Sequence, residues 1–388
     1  MPSTANIPPL LLPLIAINLF GHIALSGGRV TTSLYALEAG SPEVLVGVLI
    51  GLYGFLPMIL SLTVGRWIDH RGPFIPMRIG MVSVIVGISL PVFIPHVATL
   101  FATAVLCGTG FMMVSLSAQY SVSHLDREPT ANRVAHFGWL ALGHSASGVL
   151  GPTIVGITID HIGYKAAFAV LVASAGIALL IIVMHRSGLA TLRAQHQHTA
   201  HRNIRTLVAD PSIRRIYIVG VLVAIAWDLF TFLMPILGHR QQFSASTIGA
   251  ILSAFAAGSF VIRLVTSRLS MRFTEWQILR AAIVVIVMVY VAFPLTTSAP
   301  LLFALSFTLG AAVGCGQPNV LSLLHATTPP GRGAEAVGFR SMLNNASTVV
   351  VPLIFGATAA SLGLFPIFWS MAALVAMALP VTHRAMRG

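Results

Sequence analysis

The chain is a succession of apolar runs, each about twenty residues long, separated by short polar stretches. Their approximate limits are 10–34, 43–64, 74–95, 97–121, 134–158 and 164–184, then 213–237, 246–268, 277–297, 299–322, 334–360 and 362–382. Hydrophobicity within a run is continuous. It does not alternate, as it would in the roughly ten-residue strands of a membrane barrel. A run of about twenty residues crosses about 30 Å as a helix. Backbone in lipid must satisfy its own hydrogen bonds, so the runs predict twelve transmembrane helices and an all-α membrane protein.

Composition agrees. Of 388 residues, 56% are hydrophobic and only 8% charged, against about 25% charged in a soluble domain. The net charge of +12 does not point to nucleic acid, because the basic residues sit at the ends of runs and not in one patch. Arg66, Arg71 and Arg78 follow the second run, Arg268, Arg272 and Arg280 the eighth, and Arg332 and Arg340 the tenth; the opposite loops hold only Lys165 and Arg240. This bias predicts a multi-pass protein of the cytoplasmic (inner) membrane with both termini cytoplasmic. No Lys or Arg precedes the first run, which therefore reads as a retained span and not a cleaved signal. Cys107 and Cys315 fall inside apolar runs and read as reduced packing residues.

The longest polar stretch, residues 185–215, divides the runs six and six. It predicts an N-terminal six-helix bundle over 1–184, a cytoplasmic linker over 185–212 and a C-terminal six-helix bundle over 213–388. His196, His198 and His201 lie in that linker without an accompanying cysteine or acid, so no metal site is expected. The halves repeat at an offset of about 200 residues: "HSASGVLGPTIVG" (144–156) overlies "NNASTVVVPLIFG" (344–356), and Gly47 and Arg66 answer to Gly249 and Arg268. Two parallel halves predict pseudo-symmetric bundles with a substrate site between them.

Charge is concentrated in "GRWIDHRGPFIPMR" (65–78). It resembles the loop 2–3 signature of the major facilitator superfamily, Gly-x-x-x-Asp-basic-x-Gly, through Gly65, Asp69 and Gly72; His70 replaces the usual arginine, and Arg78 keeps the distal charge. The resemblance implies the major facilitator fold and a cytoplasmic gate. Asp69 would sit at the start of span 11 near Gly333 and Ala334, and Arg71 or Arg78 would pair with Asp126. A second stretch, "GHSASGVLGPTIVG" (143–156), resembles the family's antiporter motif through Gly143, Gly148, Gly151, Pro152 and Gly156, which implies export. The arginine that drug–proton antiporters of the family often carry in span 4 is missing here.

Ionisable and polar groups inside spans are costly and are the candidates for chemistry. Asn18, His22, Ser26, Arg29 and Ser33 recur at helical spacing and form one face of span 1. Asp228 is the only carboxylate well inside a predicted span. The repeat register brings it level with Ser26 and Arg29, which predicts an Arg29–Asp228 pair or a shared role in binding, with Asp228 the candidate proton carrier. His144 and Asn344 occupy equivalent positions in spans 5 and 11. With Asn345, Gln119, Gln317 and Trp227 they complete the candidate substrate contacts.

No Gly-x-x-x-x-Gly-Lys-[Ser/Thr] run and no Gly-x-Ser-x-Gly motif occurs, so neither an ATPase nor an enzyme is expected. The sequence predicts a secondary active transporter that moves a small solute by alternating access as a proton-coupled exporter. The alternative is an organic-anion transporter using Arg29. The expected partners are a small-molecule solute, protons and the bilayer; a monomer without cofactor or metal is expected.

Overall fold

The computed structural model describes residues 8–125, 131–192, 205–329 and 332–386. The described chain is helical almost throughout. In order the helices are α1 (Leu11–Glu38), α2 (Glu43–Arg71), α3 (Phe74–Phe93), α4 (Val97–Ser123), α5 (Ala131–His161), α6 (Tyr164–Met184), α7 (Arg186–Thr191), α8 (Arg205–Ala209), α9 (Pro211–Arg240), α10 (Ala245–Leu269), α11 (Glu275–Ala292), α12 (Ala299–Gly314), α13 (Gly316–Thr327), α14 (Gly333–Leu362), α15 (Leu364–Ala376) and α16 (Ala378–Ala385). Among the described residues, eleven helical segments are long and apolar enough to cross a membrane; α14, at 30 residues, carries the remaining run. The fold is that of a twelve-span protein built from two six-helix bundles.

Two spans are broken where a single run was expected. α12 gives way to α13 at Cys315, and α15 to α16 at Met377. Each break lies just before a proline, Pro318 or Pro380, which cannot donate to the carbonyl four residues back. In the first break the buried Asn319 side chain donates to the Cys315 carbonyl at 2.7 Å.

The chain divides into two compact units, residues 1–35 with 52–199 and residues 36–51 with 200–388. The start of α2 thus belongs with the second unit. There Gly47 approaches the Pro352 carbonyl and Gly356 of α14 so closely that a Cβ would overlap them. Arg240 Nε donates to Glu43 Oε1 at 2.5 Å in the same unit.

The repeat seen in the sequence recurs in the packing of each unit. In the first, Gly108 of α4 lies against the Tyr53 carbonyl of α2. In the second, Gly310 of α12 lies against the Phe255 carbonyl of α10, both positions displaced by 202 residues. Small residues at such crossings let backbones touch. The helix ends repeat as well. After α1, Gly40 N–H bonds the Leu37 carbonyl and Ser41 N–H the Ala36 carbonyl; after α9, Gln242 and Phe243 do the same to His239 and Gly238. This closure needs a left-handed residue; Gly40 supplies it at φ 75° and Gln242 at φ 57°.

Candidate functional site

In the second unit, α9 carries the intramembrane carboxylate. The helix starts on Asp210, whose Oδ1 accepts from Ser212 N–H at 2.7 Å, with Pro211 in the first turn. Two tyrosines fix it to its neighbours. Tyr290 Oη on α11 donates to the Ala226 carbonyl at 2.6 Å, and Tyr217 Oη donates to the Ala336 carbonyl of α14 at 3.1 Å. Two residues past the Ala226 anchor point on α9, Asp228 is 7% exposed.

Its carboxylate is met by two hydroxyls of α14. Ser347 Oγ lies 2.6 Å from Oδ2, and Thr348 Oγ1 3.2 Å from the same oxygen. Both hydroxyls are also within reach of the Asn344 carbonyl, at 2.8 and 3.2 Å. Each proton therefore has a second acceptor and can turn away from the carboxylate without being stranded.

Asp228 lines a cavity of about 210 Å³ whose wall also includes Trp227, Arg263 of α10, Gln317 of α13, and Arg340, Asn344, Asn345 and Thr348 of α14. Arg340, Asn344 and Thr348 recur every four residues, so one face of α14 forms that wall. Arg263 Nη2 donates to Gln317 Oε1 at 3.3 Å, and Trp227 packs edge-on against Phe255. Arg340 Nε and Asn344 Oδ1 are buried without a hydrogen-bond partner.

The first unit gathers the polar face of α1 differently. His22 Nδ1 is 2.6 Å from Ser147 Oγ of α5, and the His22 and His144 rings meet at a tilt of 34° with centroids 3.7 Å apart. Ser147 Oγ is also 2.6 Å from the His144 carbonyl. Donating there lets it accept from His22 Nδ1–H. Ser26 donates to the Ser147 carbonyl, and Gly151 approaches Gly27 closely. Much of the expected stripe thus holds α1 to α5. Ser33 donates to the Arg29 carbonyl on its own helix, and Asn18 is 3% exposed with its Oδ1 unpartnered. Arg29 is half-buried and, among the described residues, makes no ion pair. Gln119 is exposed and donates to Ser115.

Serine 147 and serine 347 occupy equivalent positions in the repeat. One meets His22 and the other Asp228, each from the turn of helix that also carries His144 or Asn344. Arg29 belongs to the first unit and Asp228 to the second, and the described hydroxyl partners of Asp228 lie in its own unit.

The loop residues fall as follows. Gly72 ends α2 at φ 80° with its N–H on the Ile68 carbonyl at 2.8 Å, and Gly65 faces open space. Asp69, Arg71 and Arg78 are exposed, Arg78 lying over the Phe74 ring. Asp126 lies outside the described residues, as do His196, His198, His201 and the Ala334 side chain. Along α5, Gly143, Gly151, Pro152 and Gly156 are buried and Gly148 is half-buried. Gly143 packs on Ile15.

Two functional candidates escaped the sequence reading. Arg340, counted among the loop charges after span 10, lies inside α14, about two turns from its start and within the expected run 334–360. Arg263 lies inside α10, in the run "FVIRLVTSRL", where Arg268 and Arg272 follow it so closely that it merges with the basic loop. An ionisable residue within a span was the available signal for both.

A helical membrane protein of two repeated bundles, with charged groups lining a cavity inside a bundle, has the architecture of a membrane carrier. The chain belongs to the Major Facilitator Superfamily, whose profile matches residues 11–299 and 216–384. Among curated relatives it is 28% identical over 284 residues to a chloramphenicol resistance protein of Streptomyces lividans, a match covering 72% of this chain and 70% of that protein. It is 26% identical to the uncharacterized MFS-type transporter y4rN of Sinorhizobium fredii (strain NBRC 101917 / NGR234), over 65% of this chain and 64% of the length of that protein. Among solved structures it resembles a variant of the peptide transporter POT in complex with sulfate, with a TM-score of 0.81 at 15% identity, covering 99% of this chain and 96% of the other.

Proposed function

We propose that the chain is a secondary active transporter of the cytoplasmic membrane that exports a small solute in exchange for protons, with Asp228 as the proton-carrying group. The observation that carries this reading is a single buried carboxylate at a cavity wall, met by hydroxyls that each have an alternative acceptor. Asp228 then holds either a proton or a hydrogen-bond donor of the solute. The two compete for one site, as exchange requires. The charged groups that share the cavity wall with it are Arg263 from α10 and Arg340 from α14; α13 contributes the neutral Gln317. Outward direction is supported by the likeness to the chloramphenicol resistance protein and by the glycine-rich α5.

A second reading, transport of an organic anion through Arg29, is favoured by that residue's lack of an ion pair among the described residues. Everted vesicles with an imposed pH gradient separate the two. Uptake of chloramphenicol, a cationic dye and a set of carboxylates is measured for the wild type, Asp228→Asn and Arg29→Ala. The export reading expects gradient-driven accumulation that Asp228→Asn abolishes and Arg29→Ala spares. Unchanged proton dependence in Asp228→Asn would remove it as the carrier, and loss of carboxylate movement in Arg29→Ala alone would favour the second reading.

A further inference from the structure

The cavity of the second unit carries more positive than negative charge. Arg263 and Arg340 line it from two helices, and Asp228 is the one carboxylate of its wall. With Asp228 ionised the wall is still net positive by one charge. Positive charge facing a cavity among membrane helices favours an anion beside it. Arg340 Nε, a donor in that wall, is buried without a hydrogen-bond partner, and so is Asn344 Oδ1, an acceptor that only a donor can satisfy. Native structures leave few such groups unsatisfied, and those they leave call for a missing partner. Guanidinium N–H groups are donors only, and they match oxyanions in planar, paired geometry.

We infer that this cavity is an oxyanion subsite, in which Arg340 and Arg263 hold the carboxylate end of the transported solute and Asn344 Oδ1 accepts from a donor elsewhere on it. The inference rests on the transporter reading but names the chemistry of the cargo, and it places the anion contact in the second unit and not at Arg29. A monoanion makes the site electrically neutral while Asp228 stays ionised. The cavity, about 210 Å³, is smaller than the roughly 300–1,000 Å³ of sites for drug-sized ligands. The cargo's acidic end is therefore a compact group such as an aryl or short aliphatic carboxylate. Trp227 in the same wall gives the ligand an aromatic face and gives the experimenter a reporter.

Three isosteric probes test the charge requirement on purified full-length protein: benzoate, benzamide and benzamidine. Binding is followed by tryptophan fluorescence, with Trp227→Phe to assign the signal, and by thermal shift. Benzoate is expected to bind saturably and at least about tenfold more tightly than benzamide or benzamidine. Arg340→Gln and Arg263→Gln are each expected to weaken benzoate by about tenfold or more, and Arg340→Lys by less, since it keeps the charge but not the paired geometry. Should Arg340→Gln fail to fold, Arg340→Lys and Arg263→Gln still decide. Equal binding of all three probes, no saturable benzoate response, or full benzoate affinity in the arginine variants overturns the subsite. Proton-driven export persisting without benzoate binding would sink the subsite and leave the transporter reading intact. Benzoate binding with no proton dependence at Asp228 would do the reverse.

Discussion

At the scale of single residues, the serine pair of the repeat shows how one position serves two ends. Ser147 and Ser347 both bond the carbonyl three residues back, and both face a polar group on the first span of their own unit. The partner is His22 in one unit and Asp228 in the other. Hydrogen bonds between membrane helices average about 0.6 kcal/mol and reach about 1.7. Ser147→Ala should therefore lower the melting temperature modestly and leave the proton dependence of transport alone. Ser347→Ala should cost similar stability but shift that dependence, because it removes a donor from the carboxylate. Matching pH profiles of transport for the two variants would show that the Ser347 hydroxyl does not tune Asp228. Asp228 was legible in the sequence as a lone carboxylate in an apolar run, and Ser347 through its overlay on Ser147. Arg263 and Arg340 were not, because an arginine near the end of a run looks the same whether its long side chain reaches into the loop or turns inward to a cavity.

At the scale of helices, glycine contacts decide which elements touch. A Cβ on Gly108 or Gly310 would overlap the backbone of the neighbouring helix, whereas one on Gly65 meets open space. Overpacking of this kind costs about 1–3 kcal/mol, more than the roughly 0.5–1 kcal/mol that alanine gains over glycine within a helix. Gly108→Ala and Gly310→Ala should each melt earlier, and Gly65→Ala no earlier than the wild type. Differential scanning fluorimetry in detergent checks this; an unshifted Gly310→Ala would show that the α10–α12 approach is not what fixes that crossing. The spans themselves were readable because apolar length alone marks them. The breaks before Pro318 and Pro380 were not, since other prolines, such as Pro57 and Pro152, sit inside unbroken helices, and only the packing shows which proline ends one. The polar stripe of α1 was legible as a stripe, but its use was not: periodicity cannot say whether His22 and Ser26 face a ligand or, as found, the packed helix α5.

At the scale of the whole molecule, duplication is the organising fact. Paired close approaches, paired helix closures and paired serines recur at nearly one offset, and the family profile covers the chain accordingly. The duplication also locates the difference: the equivalent position of α1 carries a neutral serine, Ser26, while α9 carries Asp228, so the proposed proton-carrying carboxylate has no counterpart at that position of the first unit. The most direct measurement is proton movement itself. Proteoliposomes loaded with a pH-sensitive dye receive a solute that the protein transports, with no pH gradient imposed. The account predicts a solute-dependent change of internal pH in the wild type that vanishes in Asp228→Asn while solute still equilibrates. Solute flux without proton movement in the wild type, or an undiminished pH change in Asp228→Asn, would contradict it.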